Sequence, residues 1–157
     1  VPPDRRGLIH ENDVKSLQGF KKLLDSTFAN NLTHNATVSA DSFRGNSLDY
    51  APQNVIDRDK HSYWATDDNN TSGSLEIKLS QPQELSYILL QEYIKLGQRV
   101  KSFSVDAYIN DTWQQIANAS TIGYKRILQL EPLTTDRIRI NIVDAKACPT
   151  ISNIELY

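Results

Sequence analysis

Apolar residues in the N-terminal part of the chain recur at steps of three and four. They are Val14, Leu17, Phe20, Leu23, Leu24 and Phe28. This spacing places them on one face of an α-helix. Asn12 or Asp13 is positioned to cap its N-terminus, and Asn30-Asn31 marks its end. The pattern therefore predicts an amphipathic helix whose apolar stripe packs on the rest of the chain or on another domain.

From Ala36 onward the pattern changes to short runs in which apolar and polar residues alternate, most clearly in residues 75–79 and 138–142. Alternation is typical of half-buried antiparallel strands. The predicted strands are residues 36–40, 74–79, 86–93, 100–109, 112–117, 124–130, 137–143 and 151–157. Asn110-Asp111 lies between two of them and predicts a hairpin turn. We therefore expect an all-β jelly-roll sandwich with an N-terminal amphipathic helix.

Composition limits the classes of function. A length of 157 residues suits one domain, or one domain plus an appendage. A net charge of −2 gives no reason to expect nucleic-acid binding. No apolar run approaches the roughly 20 residues needed to cross a bilayer. The lone cysteine, Cys148, can form no intrachain disulfide and is expected to be a small buried apolar residue.

Oxygen-bearing residues cluster in the turn at residues 54–66, and a remote carboxylate, Glu155, lies on the last predicted strand. Ca²⁺ binds six to eight oxygens from carboxylates, hydroxyls and backbone carbonyls. An oxygen-rich turn and one distant carboxylate could supply them. The alternative is that Asp57, Asp59 and Glu155 are solvated surface acids.

Residues from about 35 to 157 resemble the discoidin-like (F5/8 type C, galactose-binding-like) carbohydrate-binding modules of family 32 type. The resemblance rests on residues 50–57 (YAPQNVID), 63–67 (YWATD) and 151–157 (ISNIELY). It implies a sugar-binding or surface-binding domain rather than a catalyst.

Three further strings are similar to the C-terminal region of family 29 α-L-fucosidases: residues 1–9 (VPPDRRGLI), 96–103 (LGQRVKSF) and 121–126 (TIGYKR). In that family the first string ends the catalytic barrel, and a helix and a β-sandwich follow. The resemblance implies that residues 1–33 are the linker and helix from the end of the barrel, and residues 34–157 the sandwich. It also implies an upstream barrel as a partner and a periplasmic, cell-surface or secreted location.

The resemblance also implies a structural Ca²⁺. Carried over to this chain, its ligands are the carbonyls of Asn54, Asp59, Ser62 and Ile154, the Ser62 hydroxyl, and the carboxylates of Asp57 and Glu155. Many relatives have glycine after the first aspartate, where this chain has Arg58. A positive φ is uncommon for a residue other than glycine and costs energy, so if the turn needs that conformation, we expect an altered loop here.

Sugar-binding relatives use an arginine, a histidine and an aromatic platform. Here Glu92 stands at the arginine position, and Ala65-Thr66-Asp67-Asp68 follows Trp64 where the histidine is expected. The candidate sugar contacts are Trp64, Asp67, Glu92, Tyr93, Arg99 and Lys125. Each has a structural alternative: Glu92 and Arg99 could form an ion pair, and Trp64 could be a core residue.

No pair of carboxylates stands out as glycosidase machinery, and the family's nucleophile lies in the barrel, so we expect no catalysis by this segment. Three functions remain. The first is a module that binds fucose- or galactose-containing glycans. The second, close behind, is an accessory domain that packs on the barrel. The third is an adhesion or lipid-binding module, which the polar loops at residues 42–48 and 67–73 disfavour.

Overall fold

The computed structural model describes Pro3 and residues 5–157. Val1, Pro2 and Asp4, which begin the predicted linker, lie outside the described residues. The chain divides into two compact units, Val1–Asn31 and Leu32–Tyr157. The origin of the first unit at the end of a catalytic barrel stays a prediction.

The first unit contains the predicted helix, α1, which spans Glu11–Thr27. The helix is capped by His10 and not by Asn12 or Asp13, because His10 Nδ1 accepts the Asn12 N–H at 3.2 Å. None of its 17 described residues is buried. Phe20 and Leu23 are 58% and 60% exposed. In the part of the chain that the structure describes, no helix is long and apolar enough to span a membrane.

The second unit contains seven strands: β1 (Thr37–Ala40), β2 (Trp64–Ala65), β3 (Gly73–Glu92), β4 (Val100–Ile109), β5 (Thr112–Ala119), β6 (Arg126–Ala145) and β7 (Thr150–Leu156). All pairings are antiparallel, in the order β2-β7-β3-β6-β4-β5, and β1 also pairs with β3. The predicted all-β class is therefore confirmed.

The two longest strands, β3 and β6, each join two predicted strands. Their pairing shifts register between Lys78 and Gln83 and again between Leu85 and Tyr87. Because such irregularities bend a strand, one long strand can serve two parts of a sandwich. The first half of β3 pairs with β1, and its second half pairs with β7.

The core residues of the long strands follow the predicted alternation. Leu75, Ile77 and Leu79 on β3 are buried. So is the set Ile138, Ile140 and Ile142 on β6.

Gly73 allows close packing at the edge of this core. A Cβ there would lie 2.9 Å from Thr66 Cγ2 and 3.0 Å from Trp64 Cη2, so the tryptophan ring packs directly on the glycine backbone.

The connections are compact. Five short 3₁₀ turns occupy Leu32–Asn35, Arg44–Asn46, Leu48–Tyr50, Pro52–Val55 and Ile94–Leu96. The hairpin between β4 and β5 has positive φ at both Asn110 (50°) and Asp111 (60°). Two successive positive φ values are typical of a type I′ turn, whose twist matches its strands. The hairpin prediction is therefore confirmed.

Candidate functional site

A groove of roughly 510 Å³ runs beside the end of β3. One wall is the turn from Arg58 to His61, and the other includes Ser152, Asn153 and Glu155 of β7. Residues 91–95 and Tyr124 complete the lining. The groove therefore brings together the oxygen-rich turn, the last strand and part of the predicted sugar site.

A row of tyrosines leads into this groove. Tyr63 and Tyr93 stack with ring centroids 4.3 Å apart and an interplanar angle of 17°. Tyr50 packs on Tyr63 at 5.5 Å. Burial, followed by the neighbouring Tyr50, raises the pKa of Tyr63 above its usual value. Tyr93 is half-buried and lines the groove, so its ring is held in place by the row behind it.

Polar side chains next to Tyr93 are joined to one another. Lys95 Nζ lies 3.1 Å from His61 Nδ1 and 5.8 Å from the centre of the Tyr93 ring. Gln91 donates to the Tyr124 carbonyl at 3.1 Å and accepts from Asn153 at 2.9 Å. An aromatic ring flanked by such groups has the composition of a site for a polar organic ligand.

Glu92 supports the groove from beneath. Its side chain is buried, and Oε1 accepts the main-chain N–H groups of Arg99 (2.6 Å) and Val100 (2.9 Å). Oε2 accepts the N–H of Gly123 at 2.6 Å. The carboxylate therefore holds two loops against the end of β3. Neither predicted role is seen: both oxygens are engaged with backbone, and the contact with Arg99 is to its N–H rather than to its guanidinium.

Trp64 is a core residue and cannot be a sugar platform. It is 0% exposed, and its indole N–H donates to the Ser42 carbonyl at 3.0 Å. The structural alternative for this residue is the correct one.

The other three predicted sugar contacts lie outside the groove lining. Arg99 donates to the Cys148 carbonyl at 2.9 Å, and its guanidinium also contacts the buried Cys148 sulfur. Asp67 accepts the Gly45 N–H at 3.0 Å. Lys125 is exposed. The groove instead contains His61, Lys95 and Tyr124, which sequence reasoning missed because no spacing rule connects them.

The predicted metal ligands of the turn converge on one hydroxyl. Ser62 Oγ lies 2.7 Å from Asp57 Oδ2, 2.9 Å from the Asp59 carbonyl and 3.5 Å from the Asn54 carbonyl. A hydroxyl carries one proton, so it can donate to only one of these three oxygens. Such a concentration of acceptor oxygens matches the chemistry of a hard cation.

The presence of arginine in place of glycine leaves a positive φ at Arg58. Its φ is +66°, so the arginine accepts the conformation for which relatives use glycine. Asp57 Oδ1 accepts the Asp59 N–H at 2.7 Å, and Asp59 Oδ1 accepts the His61 N–H at 2.8 Å. These two bonds give the turn its fixed shape.

The two β7 ligands of the predicted metal site differ in what they can offer. Ile154 is buried and pairs with Leu90 of β3, and its only oxygen is its main-chain carbonyl. Glu155 accepts from Asn153 Nδ2 at 3.0 Å and from the Tyr157 hydroxyl at 2.6 Å. Burial and then this bond to Glu155 raise the pKa of Tyr157.

Across the described residues, no group of three or more His, Cys, Asp and Glu side chains could hold a metal. A cation in this turn would therefore depend on carbonyl and hydroxyl oxygens together with Asp57 and Glu155.

The sandwich, with its loop-built groove, has the features of a non-catalytic binding domain. The sequence profile of the F5/8 type C domain matches residues 35–156, so the chain belongs to that family. The resemblance to the C-terminal region of α-L-fucosidases is also confirmed, and this segment is the discoidin-like part rather than the catalytic barrel.

Two plant relatives match nearly the whole chain. Alpha-L-fucosidase 1 of Arabidopsis thaliana is 32% identical over 161 residues, which cover 100% of this chain and 32% of the relative. A protein of Oryza sativa subsp. japonica, provisionally named alpha-L-fucosidase 1, is 37% identical over 97% of this chain and 30% of its own length. The chain therefore spans about a third of the length of the curated relatives it matches.

Solved structures show the same relationship. The Ruminococcus gnavus GH29 fucosidase E1_10125 in complex with fucose superposes with a TM-score of 0.89 at 31% identity, covering 100% of this chain and 32% of the fucosidase. Chitosan-binding module 1 from a chitosanase/glucanase of Paenibacillus sp. IK-5 superposes with a TM-score of 0.72 at 15% identity, over 82% of this chain and 98% of the module. The second match establishes only a shared fold.

Proposed function

We propose that this domain is a glycan-binding module and that the sugar lies in the groove beside Tyr93. The observation that carries the proposal is the half-buried Tyr93 ring, stacked on Tyr63 and flanked by polar side chains. Sugars place an apolar face on an aromatic ring while neighbouring polar groups bind their hydroxyls. Fucose- or galactose-containing glycans are the proposed ligands.

The role of the module in a longer protein follows from this binding. We propose that the parent chain is an α-L-fucosidase and that this domain holds its catalytic barrel close to glycans. Tethering of this kind raises the effective substrate concentration without any new catalytic contact. A periplasmic, cell-surface or secreted location is proposed on the same ground, because glycans of this type are found there.

Sugar binding is tested on a glycan array and then by calorimetry with the best ligand. We expect Tyr93→Ala to weaken binding about tenfold or more, which corresponds to roughly 1.4 kcal/mol. Tyr93→Phe keeps the ring and should retain binding. Lys125→Ala removes an exposed side chain outside the groove and serves as the matched control. Equal affinity in Tyr93→Ala would exclude this site, and a blank array with folded protein would exclude the function.

We further propose that the turn at residues 54–62 binds a structural Ca²⁺ together with β7. The fit is supported by the three oxygens around Ser62 Oγ, since a cation could satisfy all of them where one proton cannot. Asp57 and Glu155 would offset the charge of the ion. Binding would tie the turn to the last strand and would stabilise the folded state.

The Ca²⁺ proposal is tested by thermal unfolding with calcium and with a chelator. Calcium at a hundredfold excess over its Kd adds about 2.7 kcal/mol. For a domain of this size that corresponds to roughly 5–10 °C in the melting temperature. The double variant Asp57→Asn/Glu155→Gln should not respond to calcium. A wild-type melting temperature that is the same in calcium and in chelator would contradict the proposal.

A second candidate function is structural: an accessory domain that packs on the catalytic barrel without binding sugar. The exposed apolar residues of α1 favour it, because a stripe that includes Leu17, Phe20 and Leu23 is typically covered in a complete protein. Phe20→Ser in the full-length parent would then lower its melting temperature. The same change in this chain alone should have little effect, since Phe20 is already exposed here.

A further inference from the structure

The groove beside Tyr93 contains exposed cations that have no carboxylate partner. Arg58, Lys60 and Lys95 are exposed and line the groove. Elsewhere in the described chain Lys21, Arg44, Lys101 and Arg139 each pair with an acidic side chain. None of the three groove cations does so within the residues described.

Most acidic and amide groups of the groove, in contrast, already accept hydrogen bonds from other groups of the chain. Both oxygens of Glu92 accept backbone N–H groups, and both oxygens of Glu155 accept from Asn153 and Tyr157. Gln91 Oε1 accepts from Asn153. The formal charges of the lining balance, with Arg58, Lys60 and Lys95 against Asp59, Glu92 and Glu155. Among the lining carboxylates only Asp59 keeps an oxygen, Oδ2, without a partner in the described residues, because its Oδ1 accepts the His61 N–H. The three cations keep charged N–H donors, although Lys95 Nζ also contacts His61 Nδ1 at 3.1 Å.

The excess of available donors over available acceptors indicates which chemical groups a ligand should carry. A neutral sugar hydroxyl both donates and accepts, so a site for neutral sugars needs free acceptors as well as donors. A carboxylate or sulfate group only accepts, and it forms the stronger, charge-assisted hydrogen bonds with lysine and arginine. Lys95 lies between His61 and the Tyr93 ring, so it can reach an acidic group on a sugar that stacks there.

We propose that the groove selects sugars that carry a carboxylate or sulfate group, with Lys95 as the main contact to that group and Arg58 and Lys60 as supporting charges. This inference rests on the proposed glycan-binding function and narrows its ligand class. Carboxylated and sulfated sugars share the chemistry that the groove recognises, and the experiment separates them.

The test measures binding of this chain to three probes: an oligogalacturonate, a sulfated fucan oligosaccharide and a neutral fucosyllactose. We expect at least one acidic probe to bind about tenfold or more tightly than the neutral probe. Its affinity should fall as salt rises from 50 to about 500 mM, because screening weakens exposed charge pairs. Which acidic probe binds identifies the carboxylate or the sulfate as the recognised group.

Variants complete the test. Lys95→Gln should weaken binding of the acidic probe about tenfold, and Lys95→Arg should preserve most of it. Arg139→Gln removes a cation that lies outside the groove lining and already pairs with Glu76, so it should leave binding unchanged. A neutral probe that binds as tightly as the acidic ones would overturn this inference and keep the glycan-binding function. No binding of any probe to folded protein would overturn both.

Discussion

The groove and the outer face of β4–β6 both combine basic side chains with aromatic rings, but they use their charges differently. On the sheet face the Arg137 guanidinium carbon lies 3.5 Å from the centre of the Tyr108 ring. That of Arg139 lies 3.9 Å from the Trp113 ring, and Arg139 also pairs with Glu76 at 3.0 Å. In the groove, Lys95 Nζ lies 3.1 Å from His61 Nδ1, and its distance to the centre of the Tyr93 ring is longer, at 5.8 Å.

The difference shows that residue composition alone does not identify a binding site. Cross-strand neighbours on β4–β6 are held in register by the sheet, so each arginine finds its partner within the fold. The groove cations lie on turns, where no neighbouring strand supplies a partner. The predictions below separate groups that stabilise the fold from groups that remain available to a ligand.

The largest loss of stability is expected when the buried Glu92 side chain is removed. Glu92→Ala removes the acceptor of three main-chain N–H groups and leaves them without a partner at a buried site. The free energy of unfolding should fall by about 3–5 kcal/mol, measured by urea denaturation. Glu92→Gln is the matched control, since it keeps one acceptor oxygen and the side-chain volume. A loss below about 1 kcal/mol in Glu92→Ala would mean that the carboxylate does not hold the loops.

A smaller effect is expected on the sheet face. Arg139→Gln removes the ion pair with Glu76 and the stacking on Trp113, which together are worth about 1 kcal/mol. Urea denaturation measures this loss, and groove ligands should bind as before. A variant that bound sugar less well while remaining folded would show that the sheet face takes part in recognition, and the distinction between the two regions would then be wrong.

Substitutions of the exposed groove lysines should have almost no effect on stability. Lys60→Gln and Lys95→Gln remove exposed charges that have no carboxylate partner among the described residues, so each should change the free energy of unfolding by less than about 0.5 kcal/mol. The same denaturation experiment measures both regions. If either variant destabilised the chain as much as Arg139→Gln, that lysine would stabilise the fold instead of remaining available to a ligand.

The last effect appears only at high pH and concerns Tyr157, whose hydroxyl donates to Glu155. Burial and the bond to Glu155 raise the pKa of Tyr157 above its ordinary value of 10.0. Below that value the hydroxyl is protonated in both states and its contribution is fully present. As pH rises further, the unfolded chain loses the proton first, so stability falls. Tyr157→Phe should flatten the decline in urea midpoint between about pH 10 and 11.5, and an unchanged decline would contradict this assignment.

Much of the fold was predictable because it depends on local periodicity. The alternation at residues 75–79 and 138–142 identified the strand faces, and Asn110-Asp111 identified the hairpin through its tolerance of positive φ. The helix was found by its apolar spacing, although its cap is His10. The joining of two predicted strands into β3 was not predictable, since a bend and a break in a strand leave similar sequence patterns.

The candidate site was predicted only in part. Tyr93 lies in the groove as a possible sugar platform requires, and Asp57, Asp59 and Ser62 share one oxygen cluster. Trp64 and Glu92 have the residue types of sugar contacts, but both are buried.

What the sequence by itself determined is the family, the strand pattern and the hairpin at Asn110-Asp111, because these depend on neighbouring residues. Only the tertiary structure decided which polar groups already have hydrogen-bond or ion-pair partners within the fold. Glu92 is satisfied by N–H groups seven, eight and thirty-one positions away, whereas Lys95 finds no carboxylate among the described residues. Whether a charge is paired depends on contacts between distant segments, and folding alone brings those segments together.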